Sequence, residues 1–354
     1  MKFLDARTGG GGMKYQKAIE FTLGMIIVFL LMLLVFVSLL IAQLNAPMFL
    51  NAAMAEQTLH GRVIILDPGH GEGNTNIFQG YDEHVRMLAL AHRIKPLLEA
   101  RGAVVHMTRP TEEDVTLPAR AAIINKLALE AVRDSRHKEL ELAESAQGAR
   151  RIQREILEID RLLRVLQSVI DDPETNAPIY FNYPFDRTHT RQIHPDLQKV
   201  FEYQHDPEIW EQFLVISLHS NATPRPINTA RNGADSFFVS NNLSNNARYF
   251  ANYANVQRNA YFADLIIRNI EPLGINRNKA SAYYFFMIRE NNLPCVLVEN
   301  GFHTNPQDRA KLQDDDFLDS LAVVYADTIL DYFTNLDLIP EYSPGMFGDV
   351  FGQL

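Results

Sequence analysis

Three apolar runs along the chain each break abruptly into small and polar residues. Val63–Leu66 leads into Asp67-Pro68-Gly69-His70-Gly71, Phe213–Leu218 into His219-Ser220-Asn221, and Cys295–Val298 into Glu299-Asn300-Gly301-Phe302. Short, β-branched, unalternating runs of this kind predict strands buried on both faces. Helical periodicity lies between them. Met87, Leu90, Ala91, Ile94, Leu97 and Leu98 mark one face of a helix from about Glu83 to Arg101, with Asp82 as its N-cap, Gly102 just past its end and Pro96 expected to kink it. Ala103–Met107 reads as a strand, Leu117–Asn125 as the start of a helix, Ala234–Ser240 as a strand and Asn246–Ile270 as a helix. Phe317 to Phe333 carries the stripe of a closing helix.

Residues 126–211 break this alternation. Ile152, Ile156, Ile159, Leu163, Leu166 and Ile170 recur in steps of four and three, a coiled-coil-type seam. Gly148 marks either a turn between two antiparallel helices or a weak point within one, and Asp171–Trp210 reads as irregular. The segment is expected to be an insertion, either packed on its own seam or acting as a regulatory element that covers the site or docks a protein partner.

Phe21–Ala42 is apolar over a length that spans a bilayer as a helix. Lys2, Arg7, Lys14 and Lys17 precede it, and no basic residue follows until Arg62. This asymmetry predicts a single-pass cell-membrane protein with a cytoplasmic N-terminus and a periplasmic or otherwise extracytoplasmic domain. A signal peptide cleaved near Ala53-Met54-Ala55 is the competing expectation. The predicted organisation is a leader over 1–20, the anchor over 21–42, a linker over 43–60, the main domain over 61–338 and a flexible tail over 339–354. The net charge of −10 argues against a nucleic-acid grip. Cys295 is the single cysteine, so no intrachain disulfide forms, and its apolar setting predicts a core residue.

Chemistry in open α/β sheets gathers beyond the carboxyl ends of parallel strands. His70, His219 and Glu299 therefore meet at one sheet edge, an arrangement that points to a metal hydrolase. A catalytic zinc ion takes three protein ligands and leaves a position open. His70 and His219 supply two. Glu83, opening a helix just past the first loop, is the leading third, with Glu72 and Asp82 in reserve. Glu299 is then left as general base.

The ordered blocks Asp67–Gly71, Glu83 with Ala89 and Ala91, Thr108-Arg109, Leu117–Arg120, Ser217–Ala222, Gly233 and Pro294–Asn305 resemble the zinc-dependent N-acetylmuramoyl-L-alanine amidases of the amidase-3 type. The resemblance covers about residues 61–125 and 212–335. It implies a single α/β domain with a mostly parallel twisted sheet flanked by helices, and zinc on His70, Glu83 and His219 with Glu299 catalytic. It also implies peptidoglycan as substrate, cut between N-acetylmuramic acid and the L-alanine of the stem peptide. A silent peptidoglycan-binding scaffold and a related zinc peptidase are the alternatives. Arg109 and Arg120 are expected as structural ion-pair partners, and His303 stands where the family more often has an apolar residue.

Overall fold

The computed structural model describes residues 58–182, 193–241, 250 and 252–339, together with Met25 and Met32. The predicted leader, most of the anchor and the tail beyond Ile339 lie outside the described residues. Among the described residues no helix is long and apolar enough to cross a membrane.

In chain order the elements are β1 (Val63–Pro68), β2 (Ile77–Phe78), β3 (Tyr81–Asp82), α1 (Glu83–Glu99), β4 (Val104–Met107), α2 (Leu117–Glu141) and α3 (Ala146–Asp171). Then come α4 (Pro173–Tyr180), α5 (Pro195–Gln204), α6 (Pro207–Trp210), β5 (Phe213–Asn221), β6 (Ala234–Phe238) and α7 (Val256–Ile270). The last are β7 (Arg277–Ala282), α8 (Phe286–Arg289), β8 (Cys295–Phe302), α9 (Pro306–Gln313) and α10 (Asp315–Thr334). Six strands form one sheet in the order β4-β1-β5-β8-β6-β7, and β2 pairs with β3 in a separate hairpin. β4, β1, β5 and β8 are mutually parallel, whereas β6 is antiparallel to β8 and parallel to β7. The sheet is thus mostly parallel, as predicted.

Each central strand sorts its side chains by parity. Ile64, Leu66, Leu214, Ile216, Leu218, Val296 and Val298 join one core with residues of α1, α7 and α10. Ile65, Phe213, Val215, Cys295 and Leu297 join a second core with residues of α2, α3, α4 and α5. Burial on both sides is why these runs carry no alternation. Cys295 is fully buried, and burial pushes its thiol up to about 12, consistent with a core residue.

Several sequence expectations change here. The region 126–211 is not an excursion packed on itself, because Ile159, Leu162, Leu163 and Leu166 of α3 share a core with the sheet. The chain turns at residues 142–145, not at Gly148, which lies in the first turn of α3 and donates its N–H to the Ser145 cap. The seam is real and also recruits Leu162 and Val169. Among the described residues Asp171–Trp210 holds three short helices, each with Pro at its first position after an Asp or His cap, which is a helix-start signal and not an irregular one. Of the helix predicted over Asn246–Ile270, residues 246–249 and 251 lie outside the described residues, 250 and 252–255 are not helical, and Val256–Ile270 is. Asp82 does not cap α1 through its side chain, which pairs with His84 instead. Pro96 sits within α1, which continues to Glu99.

Polar ties join the region to the sheet. Asn125 donates to the Glu290 carbonyl and accepts from Gln204, which accepts the Asn292 N–H. Asn292 in turn donates to the carbonyl of Phe201. All three side chains are buried, so each bond satisfies a group that would otherwise cost about 1–3 kcal/mol.

Candidate metal centre

β1 ends in Pro68, and Gly69 keeps the backbone ladder to the Leu218 carbonyl. A Cβ at Gly69 would overlap the imidazole of His219, so only glycine lets the two strand ends come this close. His70 then adopts φ 60°, a left-handed conformation costly for a residue with a side chain. The strain is held by contacts on its carbonyl and ring. The buried Arg120 donates to the carbonyls of Pro68 and His70, and Arg109 donates to those of Gly69, His84 and Thr111. The His70 Nδ1 lies 3.0 Å from the Asn74 carbonyl, which sets Nδ1 as the protonated nitrogen and leaves Nε2 free to ligate.

Asp67 anchors this turn from beneath. Its carboxylate accepts from Thr108 Oγ1 at 2.5 Å and Ser217 Oγ at 2.6 Å, and pairs with Arg120 at 3.3 Å. Burial alone would raise its pKa, but the Arg120 charge and the two hydroxyls outweigh that and hold it below the usual carboxylate range.

Glu83, the first residue of α1, is buried with both oxygens engaged. Oε1 accepts the Ser220 N–H at 2.8 Å and faces His219 Nδ1 at 3.0 Å. Oε2 accepts from Asn76 at 2.7 Å and faces His70 Nε2 at 3.2 Å. Burial pulls its pKa up, yet the two imidazoles overcome this and hold it well below the ordinary value. The same contact raises the pKa of His70 against the opposing effect of burial. One donor atom each from His70, Glu83 and His219 lies within 4.8 Å of the others. His219 can meet this carboxylate through a neutral Nδ1–H, whereas His70, whose Nδ1 donates to a carbonyl, meets it through Nε2 only as a protonated ring or across a shared cation. The donor set, two imidazoles and one carboxylate, is that of a catalytic zinc site.

Glu299 stands opposite His219 in the β5–β8 register and opposite Asp235 across β6. Its Oε2 is sealed from water with no hydrogen-bond partner among the described residues. Burial, followed by the charges of Glu83 and Asp235, pushes its carboxyl well above the usual range. A carboxylate kept beside the cluster but outside it is placed to exchange protons.

The three predicted ligands are together, and Glu299 is adjacent without joining them. The reserve ligand Asp82 is engaged by His84 at 2.5 Å, and neither it nor Glu72 belongs to the cluster. Arg120 forms the expected ion pair. Arg109 instead gathers carbonyl groups. His303 is fully buried, stacked on Tyr81 and bonded to Ser220 Oγ at 3.0 Å, so it braces the segment behind Glu83. The sequence reading missed Asp67, Asn76 and Ser220 as supports. The strand-end position of Asp67 and Ser217 in adjacent runs was the available signal.

Two imidazoles and an acid gathered at one edge of a doubly covered α/β sheet form a group that could hold a metal ion. The family model described as N-acetylmuramoyl-L-alanine amidase, Amidase_3, matches residues 64–132 and 138–331. The chain belongs to this family, whose members hydrolyse peptidoglycan. It is similar to the germination-specific N-acetylmuramoyl-L-alanine amidase of Bacillus subtilis (strain 168), 24% identical over 285 residues that cover 80% of this chain and 84% of that protein. The probable cell wall amidase LytH of Staphylococcus saprophyticus is 41% identical over 66 residues, 18% of this chain and 23% of that protein. Among solved structures, the amidase Ami1 from Mycobacterium smegmatis aligns with a TM-score of 0.45 and 15% identity, covering 78% of this chain and 98% of that one.

Proposed function

We propose that the chain is a zinc-dependent amidase that cuts the bond between N-acetylmuramic acid and the L-alanine of the stem peptide. His70 Nε2, a Glu83 oxygen and His219 Nδ1 would hold the metal. The observation that carries this reading is the convergence of those three donors beside a fourth, unpartnered acid. A zinc ion bound by these residues would supply Lewis acidity that brings the pKa of water down to about 7 and polarises a carbonyl. Glu299 takes the proton from the attacking water and delivers it to the departing L-alanine nitrogen. Its raised pKa, caused by burial and the charges of Glu83 and Asp235, fits a group whose charged form needs a neighbouring cation. Asp67 and Arg120 hold the His70 turn in place, so the ligand geometry is set before substrate arrives.

The test is hydrolysis of purified sacculi. Stem peptides beginning at L-alanine should appear, vanish with a chelator and return with zinc. Trimmed stem peptides would instead mark a peptidase, and intact sacculi a binding scaffold.

The membrane anchor belongs to the same reading. The apolar stretch 21–42 with its basic flank supports a single-pass protein whose domain faces the wall. Retention in membranes through alkaline extraction, with the domain digestible from the outer side of that membrane, is expected. Release as a soluble, shortened chain would indicate cleavage instead.

A further inference from the structure

The inner seam of α3 is buried at Ile152, Ile156, Ile159, Leu163 and Leu166. A second row, Arg150, Arg154, Leu157, Arg161 and Arg164, repeats the same steps of four and three, displaced by two residues. At 100° per residue a displacement of two lands on the opposite side of the helix. All five are exposed, and Leu157 is 67% accessible at the midpoint of the row. Arg161 pairs with Asp196 at 2.8 Å. Arg154 reaches only the Arg150 carbonyl, and among the described residues Arg150, Arg154 and Arg164 have no carboxylate partner. The row contains no acid, in a chain whose net charge is −10.

Three acids of α3 lie on the shoulders of this row, and the fourth, Asp171, lies past its end and accepts from Gln167. Glu155 is engaged by Arg136 and Arg151, Glu158 by Tyr203, and Asp160 faces Arg133 at 3.8 Å. A broad anionic surface such as a bilayer would meet these carboxylates together with the arginines. A narrow ligand that follows the row meets only arginine and leucine. The row extends about 21 Å from Arg150 to Arg164 at helical rise, and its spacing is that of a two-helix contact. Arginine favours planar, two-point pairing with carboxylates, and a central apolar residue ringed by such pairs is how small interfaces concentrate affinity.

We propose that the outer face of α3 docks an acidic amphipathic helix of a partner protein, its carboxylates pairing with Arg150, Arg154 and Arg164 around Leu157. No residue of this face touches the metal pocket, so the surface is separable from the basal reaction.

The test uses the full chain. A photo-crosslinking p-benzoylphenylalanine is placed at Leu157, and for comparison at Gln198, an exposed position on α5, and the products from cells are mapped by mass spectrometry. Crosslinks at Leu157 should fall on an acidic helical segment of one other protein. They should drop at least tenfold when Arg150→Gln, Arg154→Gln and Arg164→Gln are combined. The purified triple variant should release muropeptides at the unaltered rate, which shows that it is folded. A synthetic helix with glutamates at four-and-three spacing around a leucine should bind the full chain at least tenfold more tightly than its scramble, and salt should weaken it. The proposal is overturned by crosslinks on lipid, on peptidoglycan or on another copy of this chain. Equal yields at Leu157 and Gln198, or peptide binding that ignores either the scramble or the triple substitution, also overturn it.

Discussion

The metal pocket and the helical layer over 117–210 are built on opposite principles. In the pocket, polar and charged groups are buried at close quarters: Glu83, Asp67, Arg109 and Arg120 are nearly inaccessible, and His70 adopts a strained backbone. Every one of those groups needs a named partner, so single substitutions there act on charge balance. The helical layer is held instead by apolar side chains of α2 and α3 against the sheet, with a thin polar seam through Asn125, Gln204 and Asn292. Substitutions there act on packing volume. The contrast separates chemistry from scaffold: the pocket spends stability on geometry, and the second core supplies it.

The sharpest way to break this contrast is to change the pocket without changing the fold. Glu299→Ala should lower muropeptide release by about 10²–10⁴-fold, the usual worth of a proton-transfer group, while zinc content stays near one per chain. Metal loss in that variant would make Glu299 a ligand and not a base. Asp67→Asn leaves the Arg120 charge buried beside a neutral amide, and should cost about 3–5 kcal/mol of stability in denaturant titration. Loss below about 1 kcal/mol would mean that the pair is not what holds the His70 turn.

On the other side of the comparison, Leu162→Ala removes a fully buried side chain from the second core and should cost about 2–5 kcal/mol. Leu157→Ala, five residues earlier on the outer face, should change stability by no more than about 0.5 kcal/mol. If the two cost the same, α3 is not seated on the sheet as described.

The smallest effect concerns pH in the metal-free protein. His70 has a raised pKa in the folded chain, so its pairing with Glu83 contributes stability fully below the ordinary histidine value of 6.5 and loses it as pH rises through the raised value. Glu83 has a lowered pKa, so its contribution is present above 4.5 and is lost as pH falls through the depressed value. Zinc competes with the His70 proton. Uptake should therefore release a proton below that raised pKa and weaken as pH falls, which calorimetry in buffers of different ionisation enthalpy would measure. Proton release independent of pH would remove His70 from the site.

The strand ends were legible in the sequence because buried parallel strands leave an unmistakable mark, an unbroken apolar run cut off by Gly, His or Glu. That mark located His70, His219 and Glu299, and the helix start located Glu83. The supports were less legible, since Ser220 and Asn76 act through a backbone N–H and a loop amide that any sequence offers. Four short helices were missed although they open on a capped proline: Asp172-Pro173, His194-Pro195, Asp206-Pro207 and, before α9, Asn305-Pro306. At the first helical position proline is a helix starter and not a breaker. The edge strand β7 was missed because Arg277–Ala282 carries too little apolar side chain to mark it. The role of α3 as a wall of the sheet was hidden because its seam alone does not say what it packs against.

The most direct measurement is anomalous diffraction at the zinc edge from crystals of the zinc-loaded protein. The account expects a single peak bonded to His70 Nε2, a Glu83 oxygen and His219 Nδ1, with the Glu299 carboxylate near it but not bonded. An ion held elsewhere, or one that takes Glu299 in place of Glu83, would contradict it.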